Sequence, residues 1–222
     1  PWNESERQAI YAAREGAAQL VAAHERKWAE LWQGDIEIEG DPTAQLDVRF
    51  ALFNLYGSIR EGSRRSIPPM GLSARGFYNG HIFWDSEIWM YPVLLVLRPC
   101  LARQMLDYRT DGLDAARRRA YAHGYRGAMF PWEGDDRGEE ATPTFALTGP
   151  LEHHITADIA IASWNYYCVT QDREWLRREG FPLMREAARF WCDRVTANAD
   201  GSYSIRNVIG ANEYAVGVTD NA

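Results

Sequence analysis

Cysteine is scarce in this 222-residue chain: Cys100, Cys168 and Cys192 are odd in number, and none belongs to a C-x-x-C pair. Neither a disulfide framework nor a zinc site is suggested, and buried free thiols are expected. Long apolar runs are missing too. The longest aliphatic stretch, Val93-Leu94-Leu95-Val96-Leu97, falls far short of the roughly 20 residues that cross a bilayer, so no membrane span is expected. Positive charge is in deficit, with 24 Lys and Arg against 31 Asp and Glu for a net charge of -7. A nucleic acid would meet net repulsion. No G-x-S-x-G, P-loop, G-x-G-x-x-G or H-E-x-x-H pattern occurs, which removes the usual signs of serine hydrolases, NTPases, dinucleotide enzymes and zinc proteases. No signal peptide is visible, and the compartment, cytoplasm or periplasm, stays open.

What is present is an ordinary globular composition, 46% apolar with 18 Gly and 10 Pro, enough for one large domain or part of a larger one. The start at Pro1 and the last stretch, Tyr214 to Ala222, which ends without an obvious helix stop or tail, read as cuts, so a fragment is expected. Positions Ile10, Ala13, Ala17, Leu20, His24, Trp28 and Leu31 step by three or four, predicting one helix over 5–32 with Gly34 as its stop. Val48, Leu52, Leu55, Tyr56 and Ile59 mark a second helix. After a Pro- and Gly-rich loop, helical patterns recur over 87–97, 101–108, 113–123, 155–170 and 181–195. Only 203–209, after the Asp200-Gly201 turn, alternates like a short strand. The prediction is an all-α unit with a short β-hairpin and long loops.

The residues able to do chemistry sit in those loops. Phe83-Trp84-Asp85-Ser86-Glu87 and Phe130-Pro131-Trp132-Glu133 each set an aromatic ring against a carboxylate. Aromatic faces pack on the C–H faces of a sugar while carboxylates take its hydroxyls, so these loops read as pocket walls. Glu213, just past the predicted strand, is a lone carboxylate that a loop could hold partly desolvated. A carboxylic acid kept protonated is what a glycosidic oxygen needs as it leaves. His153-His154 with Asp158, and the acids Asp135, Asp136, Glu139 and Glu140, lack the spacing of a metal site. No metal is expected. His154 and Asp158, one turn apart, face either a pocket or each other.

Four segments in order resemble glycoside hydrolase family 65: His81-Ile82-Phe83-Trp84-Asp85-Ser86-Glu87, Gly124 to Glu133, His154-Ile155-Thr156-Ala157-Asp158, and Val208-Ile209-Gly210-Ala211-Asn212-Glu213-Tyr214. The resemblance covers roughly residues 44 to 222. It implies an (α/α)6 barrel of which this chain holds the first half, with residues 1–34 as a helical linker and 35–222 as the N-terminal part of the catalytic domain. It also implies an inverting enzyme acting on an α-linked glucoside, with Glu213 as general acid and Trp84 and Asp85 gripping the glucose. Trp132, Glu133 and His154 are expected as further sugar contacts, with Arg75, Tyr78 and His81 weaker candidates in the adjoining loop. The catalytic base belongs to a part of the family domain beyond this chain. Neither cofactor nor metal is implied. Inorganic phosphate enters only as co-substrate of the alternative, a disaccharide phosphorylase, and a full-length protein of this type can form a homodimer. Where the family commonly has G-P-D-E-Y-H, this chain has Gly210-Ala211-Asn212-Glu213-Tyr214-Ala215. That change and Ile67-Pro68-Pro69-Met70-Gly71-Leu72-Ser73 resemble the hydrolase branch, especially its α-1,2-glucosidases, more than the phosphorylases. A non-catalytic carbohydrate-binding fragment is the remaining alternative.

Overall fold

The structure, a computed structural model, describes residues 2–73 and 76–221, and it separates into two compact units, Pro1–Leu52 and Phe53–Ala222. In the first unit α1 (Trp2–Glu15) and α2 (Ala17–Leu31) occupy the span predicted as one helix. Gly16 breaks it at φ 77° and ψ 157°, a conformation that glycine reaches without a Cβ clash. Neither helix has a buried residue. α3 (Pro42–Ser58) starts at Asp41, whose carboxylate accepts from the N–H groups of Thr43 and Ala44, both at 3.0 Å, while Pro42 takes the first helical position.

The second unit is built on α4 (Tyr91–Leu97), α5 (Pro99–Asp111), α6 (Leu113–Ala122), the single turn α7 (Thr148–Leu151), α8 (Ile155–Thr170), the short α9 (Arg173–Trp175) and α10 (Phe181–Arg194). α8 is its centre and packs against α4, α5 and α10. Its buried side chains, Ile155, Thr156, Ile159, Ala162, Ser163 and Tyr166, gather on one face, recurring at three- to four-residue intervals. Ile155 and Ile159 join Leu113, Ala116, Phe130 and Leu183 in one core, and Trp84 and Trp132 pack on its edge. The loops that carry chemistry are therefore seated on the core. All three cysteines are free, but Cys168 and Cys192 are exposed and Cys100 is half-buried. This corrects the expectation of buried thiols: both exposed cysteines lie off the buried stripes of α8 and α10.

α4 and α10 share one device. Each follows a π-helical turn, Ser86–Met90 and Leu176–Gly180, and each has proline at its second position, Pro92 and Pro182. The Tyr91 N–H reaches back five residues to the Ser86 carbonyl, and the Phe181 N–H to that of Leu176. Proline lacks the N–H and its ring would strike the carbonyl four residues back, so a widened turn accommodates it. The first such turn buries Glu87 against Arg109. The guanidinium grips that carboxylate with two bonds of 2.8 Å and reaches the Phe83 carbonyl at 3.3 Å. Both side chains are 1% exposed. Burial pushes the Glu87 carboxyl up and Arg109 opposes this.

β1 (Thr196–Ala197) and β2 (Tyr203–Ser204) form the hairpin, antiparallel. The predicted strand over 203–209 ends after Ser204, where the Ile205 N–H donates to Asp220 Oδ1; beyond Asn207, at φ 55°, Val208 and Ile209 make isolated bridges to Val218 and Glu152. No helix of the described residues is long and apolar enough to cross a membrane.

The Glu87–Arg109 pair joins the Trp84 segment to α5, which makes it a test of the fold. Arg109→Met would leave a buried carboxylate without its partner and is expected to cost about 3–5 kcal/mol, whereas Glu87→Gln with Arg109→Met should recover most of that. Urea unfolding of the two variants checks this; a single variant as stable as the parent contradicts it.

Candidate active site

The loop that presents Glu213 is tied down on both sides. Val208 and Val218 exchange two backbone bonds of 3.0 Å, the Ile209 N–H donates to the Leu151 carbonyl at 3.0 Å, and the Ile205 N–H donates to Asp220 Oδ1 at 2.7 Å. From α10, Arg194 Nη2 donates to the carbonyls of Arg206 at 2.5 Å and Asn207 at 3.3 Å. A Cβ on Gly210 would lie 2.1 Å from the Asn221 carbonyl oxygen, so only glycine allows the chain to pass there. The Ala215 N–H then closes a turn onto the Asn212 carbonyl at 2.9 Å, with Glu213 at its corner.

Glu213 is half-buried, and two indoles meet it. Trp84 Nε1 donates at 3.3 Å and Trp132 Nε1 at 3.2 Å, both to Oε1. Among the described residues Oε2 accepts no hydrogen bond. Glu213, Trp84, Trp132, Asp85, Tyr78 and Phe83 are among the residues lining one cavity of about 470 Å³. The Phe83 ring stands edge-on to Trp132 at 4.9 Å and to Tyr78 at 5.0 Å, fixing the aromatic wall. Asp85 is half-buried; burial raises its pKa, its own backbone N–H opposes this, and the Glu213 carboxyl adds to the rise.

Other predicted contacts lie elsewhere. Glu133 is 6% exposed and bonds His81 Nδ1 at 2.7 Å, and neither residue lines the cavity. Arg75 falls outside the described residues. His154 stands behind Trp84, edge-on to the indole at 5.0 Å and 83°. Of the two orientations open to His154 and Asp158, they face each other: His154 Nδ1 bonds Asp158 Oδ2 at 2.7 Å, while Nε2 bonds Glu152 Oε1 at 2.8 Å.

Reading along the sequence missed Glu152, His153 and Arg194 as site supports; the only signal was the His-His pair. His153 Nδ1 accepts from Arg194 Nε at 2.9 Å, so its Nε2 carries the hydrogen and donates to the Pro150 carbonyl at 2.9 Å. The two adjacent histidines therefore differ in charge. Burial, helped by Arg194, pushes His153 down to about 4. Burial would lower His154 too, but Asp158 and Glu152 outweigh it and raise His154 to about 9.

An aromatic-walled cavity holding two carboxyls, set on the loops of a helical array, defines a carbohydrate-active domain. The chain matches the glycosyl hydrolase family 65 central catalytic domain over residues 49–222 and belongs to that family. It is 52% identical over its whole length to the kojibiose hydrolases of Mucilaginibacter mallensis and Flavobacterium johnsoniae, spanning 33% and 32% of them. A kojibiose phosphorylase of Halothermothrix orenii is 43% identical over 92% of this chain and 28% of its own length. The chain thus spans about a third of these relatives. A solved structure from the human microbiome, provisionally named a kojibiose phosphorylase, superposes with a TM-score of 0.87 at 24% identity, covering 98% of this chain and 30% of that one. The fold is therefore the expected partial (α/α)6 barrel, all-α apart from its hairpin.

Opposite charge states in neighbouring histidines give a measurable sign. His154, raised in the fold, adds stability that is complete below about pH 6.5 and is lost as pH rises toward about 9. His153, depressed in the fold, adds stability that is complete above about pH 6.5 and is lost as pH falls toward about 4. Imidazole NMR should show one ring neutral and one protonated at pH 7.5; two rings titrating together near pH 6.5 would contradict the arrangement.

Proposed function

We propose that this chain is the first part of an inverting α-glucosidase catalytic domain that releases glucose from a kojibiose-like disaccharide. The observation that carries the reading is the convergence of Trp84 and Trp132 on the Glu213 carboxyl in a cavity also lined by Asp85. In this reading Glu213 is the general acid: its proton passes to the bridging oxygen as the C1–O bond breaks, because a sugar alkoxide is a poor leaving group. Asp85 accepts hydroxyl hydrogens of the glucose, and Trp84 and Trp132 wall it in while holding the acid. Tyr78 supplies a further aromatic contact. Inversion requires a second carboxylate, roughly 6.5–9.5 Å from the acid, to activate water on the opposite face of the sugar. It belongs to the two thirds of the relatives' length that this chain does not span.

Identity of 52% to two kojibiose hydrolases, against 43% to a kojibiose phosphorylase, supports the hydrolase over the phosphorylase. In the second reading inorganic phosphate replaces water as the attacking group. Incubating the full-length protein with kojibiose separates them. Glucose release without phosphate is expected; β-glucose 1-phosphate formed only when phosphate is added would replace the hydrolase with the phosphorylase. Glu213→Gln keeps the shape and removes the proton, and it is expected to lower turnover by about 10²–10⁴. Unchanged turnover would remove Glu213 from the role.

A further inference from the structure

We propose that His154, gripped between Glu152 and Asp158, is a positioning residue that fixes the Trp84 indole and, through its N–H, the orientation of the Glu213 carboxyl. The inference rests on the reading of Glu213 as the general acid.

The geometry forms one chain of contacts. Both ring nitrogens of His154 point at carboxylate oxygens, Asp158 Oδ2 at 2.7 Å and Glu152 Oε1 at 2.8 Å. Two acceptors require two N–H donors, so the ring is an imidazolium held at both ends and cannot turn. Burial leaves no water to replace either partner: the Glu152 side chain is 0% exposed, those of His154 and Asp158 11% and 13%. The ring then meets Trp84 edge-on at 5.0 Å. Trp84 also packs against the core cluster that includes Phe130, Ile155 and Ile159, and its Nε1 reaches Glu213 Oε1 at 3.3 Å.

Glu152 also serves the acid from behind. Its backbone bridges Ile209, one residue after Leu151 accepts the Ile209 N–H, so the segment that holds His154 also anchors the loop that carries the acid. The charged groups around the ring are Glu152 and Asp158 at its nitrogens, with Glu87 and Arg109 beyond Asp158 and Glu213 beyond Glu152. None competes for the two N–H bonds. His154 does not line the cavity, so its effect on a sugar passes through Trp84.

Trp84 also lines the cavity, so a shifted indole raises KM on any glucoside alike, and the share of the effect that passes through the acid is read in kcat at saturating substrate. Cleaving an α-glucoside needs the proton of Glu213, whereas α-glucosyl fluoride breaks its C–F bond with fluoride leaving as an anion and no proton from the acid. In the full-length protein, His154→Gln can satisfy only one carboxylate with an N–H. It is expected to lower kcat on kojibiose by roughly 10-fold or more, yet to stay within about 3-fold of the parent on the fluoride. Equal losses on both substrates would mean a general structural role, and no loss on either would mean no role; each overturns the proposal. Should His154→Gln not fold, Asp158→Asn keeps an acceptor for Nδ1 and should show the same split at about 3–10-fold, and no split there overturns it as well. Glu213→Gln run in parallel keeps the two readings apart. If it spares kojibiose, the acid assignment fails; if it alone shows the substrate split, only the positioning role of His154 fails.

Discussion

Two indole N–H groups meet one carboxyl oxygen in the cavity, and in the proposed reading they hold the general acid still at the moment of proton transfer. Trp84 and Trp132 arrive from loops 48 residues apart in sequence and meet the same oxygen of Glu213. Indole is suited to this work. It is rigid, it donates one hydrogen bond in a fixed direction, and its apolar body can be locked by packing. Trp84 and Trp132 both rest on the core beside α8, so the rigidity of the helical array passes directly to the Glu213 carboxyl.

The short segment from Pro150 to Asp158 organises both sides of that arrangement. Its carbonyl and backbone groups at 151 and 152 secure the loop that carries Glu213, and its two histidines work in opposite protonation states. His153, neutral, accepts from Arg194, which in turn grips the carbonyls of Arg206 and Asn207. His154, charged, links two carboxylates behind Trp84. Neighbouring residues of one type thus do different work because each meets different partners, and burial alone would have made both neutral.

Much of the helical order was legible in the sequence, since a 3.6-residue period survives wherever one face is buried; α6, α8 and α10 follow it. Departures came where a single residue overrides the pattern. Gly16 split one predicted helix into two, Pro92 and Pro182 widened the turns before them, and Asp220 takes the Ile205 N–H where a strand ends after two residues. The cavity walls were legible because aromatic and acidic residues are adjacent in the chain at Trp84-Asp85 and Trp132-Glu133. Adjacency misled at Glu133, since neighbouring residues of an extended loop point opposite ways, and it turns inward to His81. Arg194 and Glu87–Arg109 were invisible because their partners lie 41 and 22 residues away.

Membership of glycoside hydrolase family 65 and the partial helical barrel frame all of this, but the account turns on where a glucoside sits. The most direct test is a crystal structure of the full-length Glu213→Gln protein with an uncleaved α-1,2-glucoside. The account predicts the bridging oxygen within about 3 Å of the residue-213 amide, with the glucose ring between Trp84 and Asp85. A sugar bound in a different cavity, or one whose bridging oxygen faces away from residue 213, would contradict it.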